Sequence, residues 1–332
     1  MTTLTRSADN YGLSIILGGA EGTLWDIATG FSHLARSVHQ FNTSSGKYFE
    51  KQDFSFVTDQ RKDDIISTEE PVFDAGAAWL TLEALTNVNR PEEIDWEFIP
   101  SMRRIAWKTG TSFGFRDAWA VGVTPRYLVA VWTGNASGEG RAGLTGARTS
   151  AQVMFDLFNL LHATSWFETP YKALREAEIC RESGCLIGQN CPESSRDTVL
   201  IPKKGVLGQV CGFHKIVHLS SDGQYQVNES CAGNRGIQQK SWFILPPSWE
   251  WYYKQHHPGY VSLPPFSPEC VDAANRRVMQ FIYPYPNAIL KLPKQLDGSP
   301  GKAIFELAHR TSASKVFWHL NNEYLGETSD IH

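Results

Sequence analysis

The chain has 332 residues, about two domains' worth, and its 42% hydrophobic and 20% charged content is that of a globular protein. Its 31 basic and 35 acidic side chains give a formal net charge of −4. They are well mixed, and Arg61-Lys62-Asp63-Asp64, the densest cluster, cancels itself. That pattern excludes a basic footprint for nucleic acid. No run approaches the ~18 consecutive apolar residues of a membrane span. The opening Met1-Thr2-Thr3-Leu4-Thr5-Arg6 lacks the apolar stretch of a signal peptide.

Along the chain, Thr23-Leu24-Trp25-Asp26 reads as a capped helix start, and Leu24, Ile27, Ala28, Phe31, Leu34 and Ala35 follow at helical spacing. Residues 42–64 are polar and read as loop. Ser67-Thr68-Glu69-Glu70-Pro71 reads as a second helix start, with Val72, Ala78, Trp79, Leu82 and Leu85 as its apolar side, and Arg90-Pro91 as its end. Three short strands are expected at Ile105 to Lys108, Ala118 to Val123 and Tyr127 to Trp132. A glycine-rich loop, Gly134 to Gly146, leads to a helix from about Thr149 to His162. Antiparallel strands flanked by helices, without βαβ alternation, make this part α+β.

Residues 166–245 show little periodicity and hold five of the six cysteines, Cys180, Cys185, Cys191, Cys211 and Cys231; Cys270 follows. Such a cluster points to an oxidising compartment or a metal site, which fits poorly with the lack of an export signal unless the front of the chain is missing. Residues 246–270, with Pro246-Pro247-Ser248-Trp249-Glu250-Trp251-Tyr252-Tyr253, read as a semi-rigid connector that resists regular structure. From Met279 onward, apolar runs at Gln280–Tyr283, Ala288–Leu292, Ala303–Ala308 and Val316–Leu320 suggest a β-sandwich with only four or five strands.

The residues that carry chemistry are Lys108-Thr109-Gly110-Thr111-Ser112 at a strand end. A lysine ammonium and a threonine hydroxyl on an edge strand can hold a carboxylate, and Gly110 permits close backbone approach. The Thr111 amide could then face a developing oxyanion, where a preorganised donor lowers a barrier by about 2.7–4 kcal/mol.

The whole stretch from Trp107 through Arg116 to Gly122 resembles the third-motif strand of class A penicillin-binding proteins of the 1C type. Thr124-Pro125-Arg126-Tyr127, Val131-Trp132-Thr133-Gly134-Asn135 and Gly143-Leu144-Thr145-Gly146 carry the same likeness. So do Tyr11-Gly12-Leu13-Ser14 upstream, and the Pro246–Tyr253 connector, Leu296-Asp297-Gly298, His309-Arg310 and Trp318-His319-Leu320 downstream.

The resemblance implies a bifunctional peptidoglycan synthase that polymerises glycan strands and cross-links stem peptides through a serine acyl-enzyme. It divides the chain into the second half of a transpeptidase domain (1–165), a cysteine- and proline/aromatic-rich linker (166–270) and an incomplete all-β immunoglobulin-like domain (271–332). Lys108, Thr109, Gly110, Thr111, Ser112 and Arg116 are the implied substrate-binding residues. Peptidoglycan stem peptides and β-lactams are the implied ligands, with cell-wall proteins as further partners through the C-terminal domain. The implied location is the periplasmic side of the bacterial inner membrane, with membrane attachment only through a missing N-terminal anchor. No cofactor is expected.

The family nucleophile motif S-x-x-K is not expected in this chain. Ser44-Ser45-Gly46-Lys47 lies in a polar loop and Ser312-Ala313-Ser314-Lys315 in the β-region, whereas the family serine opens a buried helix. Ser7-Ala8-Asp9-Asn10 has the wrong spacing for the second motif. A non-catalytic cell-wall or protein-binding module is the competing reading.

The likeness matches Cys180, Cys191, Cys211 and Cys231 to the family's linker. Disulfides are favoured there, Cys211-Gly212-Phe213-His214 could present two zinc ligands, and free thiols are the third reading. His256, His257, His309 and His319 read as packing or surface residues, and Trp242, Trp249 and Trp251 as packing more than as a glycan-stacking platform.

Overall fold

The computed structural model describes residues 2–50, 65–67, 69, 71, 73–87, 103–205, 208–228, 231, 236–270, 279–292, 301–310 and 314–329. The chain forms two compact units, one of Met1–Ala177 with Val199–Val206, the other of Glu178–Thr198 with Leu207–His332.

In the first unit a short helix α1 (Ala8–Tyr11) precedes α2 (Leu24–Thr43). Thr23 caps α2 as its sequence suggests, its side chain accepting from the Asp26 amide, and the helix runs on to Thr43. The second helix, α3 (Ala75–Ala84), begins eight residues after Ser67. Ser67 does not cap it: its Oγ accepts from the Glu69 amide at 3.2 Å and donates to the Glu69 carbonyl at 2.7 Å, closing a local turn. Asp74 caps α3 instead, accepting from the Ala77 amide at 2.7 Å. Ala78 and Leu82 are buried as expected, whereas Val72 and Arg90-Pro91 lie outside the described residues.

Strands β1 (Ala106–Thr111), β2 (Asp117–Val123) and β3 (Leu128–Gly134) form an antiparallel sheet in that order. Alternation puts Ile105, Trp107 and Ala120 on one face, against Met154 and Phe158 of α4 (Ala151–Leu160). Ala106, Val121 and Val123 face the other way and pack with Val38 of α2 and Leu82 of α3. Gly122 is required for this packing, since an added Cβ would meet Phe158 Cε2 at 2.4 Å. A π-helical turn, Gly146–Ser150, starts α4 and is pinned by Ser150 Oγ donating to the Ala118 carbonyl at 2.7 Å.

Strands β4 (Leu174–Cys180) and β5 (Arg196–Pro202) pair as a two-stranded ribbon. The second unit then has β6 (His214–Leu219) paired with β7 (Gln238–Phe243), so the cysteine-bearing stretch is more regular than its sequence suggests. Residues Pro247–His256 form helix α5, which corrects the expectation of an irregular connector. Pro247 occupies the first helical turn, where its fixed φ fits and its missing amide costs nothing. Within the helix, Glu250 pairs with Lys254 at 3.0 Å.

Beyond it, β8 (Met279–Tyr283) pairs with β9 (Glu306–His309), and β10 (Lys315–Leu320) with β11 (Glu323–Ser329). Ala288–Leu292 is not a strand, and β11 replaces it in the count. Glu250 is buried and also receives Arg310 Nη1, while Arg310 Nη2 donates to the Leu245 carbonyl at 2.7 Å. No described helix is long and apolar enough to cross a membrane.

Candidate functional site

Lys108-Thr109-Gly110-Thr111 lies within β1 and not beyond its end. The strand continues because every residue from Ala106 to Thr111 has a partner on β2. β1 is an edge strand among the described residues. Beyond it, the Ser112 amide donates to the Asp117 carbonyl, while the Trp107 amide donates away from the sheet, to the Leu85 carbonyl. Antiparallel pairing alternates amide directions, so the amides of Thr109 and Thr111 face the same open edge as that of Trp107.

Lys108 is exposed, and its Nζ donates to the Thr109 carbonyl at 2.5 Å. Thr111 is exposed too, with Oγ1 accepting from the Gly146 amide at 3.0 Å. Ser112 closes the β1–β2 turn, its Oγ accepting from the Asp117 amide at 2.8 Å, and Arg116 sits exposed on that turn. Phe113 at the tip is 99% exposed.

Two glycines here differ in what they allow. A Cβ on Gly110 would meet only Trp119 side-chain atoms at 3.6 Å or more, ordinary contact. A Cβ on Gly146 would come within 2.5 Å of the Trp119 carbonyl and 2.6 Å of the Gly110 carbonyl. Gly146 is therefore a packing requirement, which the sequence reading missed, while Gly110 is not.

Ser44 is the C-terminal cap of α2, and Ser45 and Gly46 follow at φ 57° and 92°. The Gly46 amide returns to the Phe41 carbonyl at 2.8 Å, so Ser44-Ser45-Gly46-Lys47 ends a helix and does not open one. Ser312 lies outside the described residues. A cleft of about 410 Å³ in the glycine-rich loop is lined by Thr133, Asn135, Glu139 and Arg141 and by none of the Lys108–Arg116 candidates.

In the second unit the six cysteines separate by partner. Cys231 and Cys270 form a disulfide. Cys180, Cys191 and Cys211 are not disulfide-bonded; all are buried, and their sulfurs converge with His214 Nδ1 so that the four atoms lie within 4.8 Å of one another. Cys185 is half-buried beside them and outside that set. Burial pushes the Cys180 thiol up to about 12. Burial acts upward on Cys211 as well, but hydrogen bonds from Ser183 and His214 outweigh it and bring that thiol to about 6. Nearby, a cavity of about 660 Å³ is lined by His214, Trp242, Tyr253, His257 and Tyr260. Trp242 is held there by its indole N–H to the Val261 carbonyl at 3.1 Å.

Residues 268–332 match the Penicillin-Binding Protein C-terminus Family. Over 95% of its length the chain is 27% identical to penicillin-binding protein 1C of Escherichia coli (strain K12), spanning 39% of that protein. It is 26% identical to penicillin-binding protein 1A of Clostridium tetani (strain Massachusetts / E88) over 32% of this chain and 14% of that one. A crystal structure of penicillin-binding protein 1A from Haemophilus influenzae aligns with 48% of this chain and 25% of that chain, at 18% identity and a TM-score of 0.31. The chain is thus similar to penicillin-binding protein 1C along almost all of its length and spans about two fifths of that protein, and its C-terminal residues match the penicillin-binding protein C-terminus family.

Proposed function

We propose that β1 is the substrate-binding strand of a serine-type D-Ala-D-Ala transpeptidase in peptidoglycan assembly. The observation that supports this reading is the direction of the Thr109 and Thr111 amides toward an open edge beside Lys108. Lys108 and Thr109 bind the terminal carboxylate of a stem peptide or a β-lactam. The Thr111 amide donates to the oxygen of the attacked carbonyl, and Ser112 and Arg116 shape the rim. In the complete reaction a serine Oγ attacks the penultimate D-Ala carbonyl, and the terminal D-Ala departs as a free amine. An acceptor amine then cleaves the ester.

In this reading the nucleophilic serine is not Ser44, which caps the end of a helix and does not open one. In this reading residues 1–165 are the second half of the transpeptidase domain, 166–270 a linker and 271–332 an immunoglobulin-like domain. The protein works at the periplasmic side of the inner membrane, alongside a glycan-polymerising activity and cell-wall protein partners.

The test has two arms. A D-Ala-D-Ala-terminated peptide should perturb the amide resonances of Thr109 and Thr111, and Lys108→Ala should weaken binding by about tenfold, the worth of one charge-assisted hydrogen bond. A fluorescent penicillin should leave no covalent adduct. Unperturbed β1 amides would defeat the binding role, and an adduct abolished by Ser44→Ala would defeat the assignment of the nucleophile.

A further inference from the structure

We infer that Cys180, Cys191, Cys211 and His214 form a structural zinc site. His214 Nδ1 lies 3.5 Å from the sulfurs of Cys180 and Cys191 and 3.7 Å from that of Cys211. A tetrahedral zinc ion with Zn–S of about 2.3 Å and Zn–N of about 2.0–2.1 Å would separate nitrogen from sulfur by about 3.6 Å. The His214 nitrogen is already at the spacing from each sulfur that such an ion imposes, and the sulfurs lie within 4.8 Å of one another. Three thiolates and an imidazole are a common structural zinc set, and softer sulfur ligands select against magnesium and calcium. All four residues are buried, with Cys180 at 0% and His214 at 4% exposure, which suits a closed structural site with no open position for substrate.

The backbone around the ligands is built for this convergence. Cys180 ends β4, and its amide and carbonyl are held by the Cys185 carbonyl and the Gly184 amide, each at 2.8 Å. The Cys211 amide donates to the Leu186 carbonyl at 2.8 Å, which brings the third ligand beside the first turn. The Gly188 amide points at the Cys191 sulfur at 3.3 Å, the kind of N–H donor that steadies a metal-bound thiolate. Gly188 also lies so close to Cys211 that an added Cβ would sit 2.3 Å from the Cys211 carbonyl. One glycine thus sets the distance between two ligands.

A disulfide reading accounts for less. It leaves the approach of His214 Nδ1 to three separate sulfurs without a role, whereas Cys231 and Cys270 in the same unit do pair. The local core is also made of the ligands: around Cys180, Cys191 and Cys211 pack only Cys185, Ile187 and Phe213 among the described hydrophobic residues.

The test uses the full chain, purified in reducing buffer with added zinc. Elemental analysis should find about one zinc per chain. Replacing the zinc with cobalt(II) should give the visible ligand-field bands of a tetrahedral site and a thiolate-to-cobalt charge-transfer band. Cys185→Ser should keep the metal and the spectrum. Cys211→Ser and His214→Ala should lose both, and Gly188→Ala should weaken retention without removing a ligand. A folded wild-type chain that holds no zinc and gives an octahedral cobalt spectrum would overturn the site. So would peptide mapping that finds a disulfide among Cys180, Cys191 and Cys211, or uptake of iron in preference to zinc.

Discussion

In the unit that carries β1, the interior is a three-stranded sheet with apolar side chains on both faces, Trp107, Met154 and Phe158 on one and Val38, Leu82 and Val123 on the other. In the unit that carries the cysteines, the buried groups include Cys180, Cys191, Cys211, His214 and Glu250, and among the described residues the strands come in pairs. Two-stranded ribbons bury too little surface to stand alone. Small or loop-rich regions therefore lean on cross-links, metals or buried polar pairs where apolar cores are thin. The first unit is held by area removed from water, while the second adds a disulfide, a buried ion pair and the inferred metal site to its apolar residues. Losses should accordingly be graded in one and abrupt in the other.

The largest expected effect tests the second half of that contrast. Structural zinc contributes about 10–16 kcal/mol in zinc-finger peptides. Stripping it with a chelator under reducing conditions should collapse hydrogen-exchange protection at β6 and β7 while β1–β3 amides keep theirs. Equal loss in both units would break the comparison.

Phe158→Ala should cost about 3–5 kcal/mol by leaving a cavity under Trp107 and Met154. Denaturant unfolding should register that loss, with the metal content unchanged. Arg310→Ala should cost about 1.5–3 kcal/mol, because it removes one of the two cations, Arg310 and Lys254, that pair with the buried Glu250 carboxylate. The double variant Glu250→Gln with Arg310→Met should recover much of that; if it does not, the pair matters for its shape and not for its charge balance.

The smallest effects separate packing from binding on β1. Gly146→Ala should cost about 1–3 kcal/mol, since its Cβ would meet two backbone carbonyls. Gly110→Ala should change stability by less than about 1 kcal/mol. A thermal melt of each variant decides it. A destabilised Gly110→Ala would mean that this glycine serves the fold and leave less reason to assign it to a ligand.

Local signals in the sequence were legible where the side chain acts on its own neighbours. Thr23 caps α2 because the amide that donates to it lies three residues away, and the alternation in β2 and α4's apolar spacing need only adjacent turns. Ser67 misled because the same cap chemistry is available to Asp74, and the Ser67 hydroxyl closes a local turn with Glu69 instead. The connector misled because proline and aromatic rings suggest a coil, yet a proline in the first turn and Glu250 to Lys254 pairing are compatible with helix. At the metal cluster the Cys211-x-x-His214 half was visible as a local pattern, and the other two ligands were not distinguishable from Cys185 or Cys231.

The amino-acid sequence alone determined the strand that bears Lys108-Thr109-Gly110-Thr111, the helices on either side of it in the chain and the likeness to the penicillin-binding proteins. These follow from spacing and from contiguous motifs. Only the tertiary structure decided which cysteines meet, that Gly146 and not Gly110 is demanded by packing, and that Glu250 and Arg310 share a buried pair. The physical reason is range. Glu250 and Arg310, 60 residues apart along the chain, meet through their side chains, and no local period encodes such an approach.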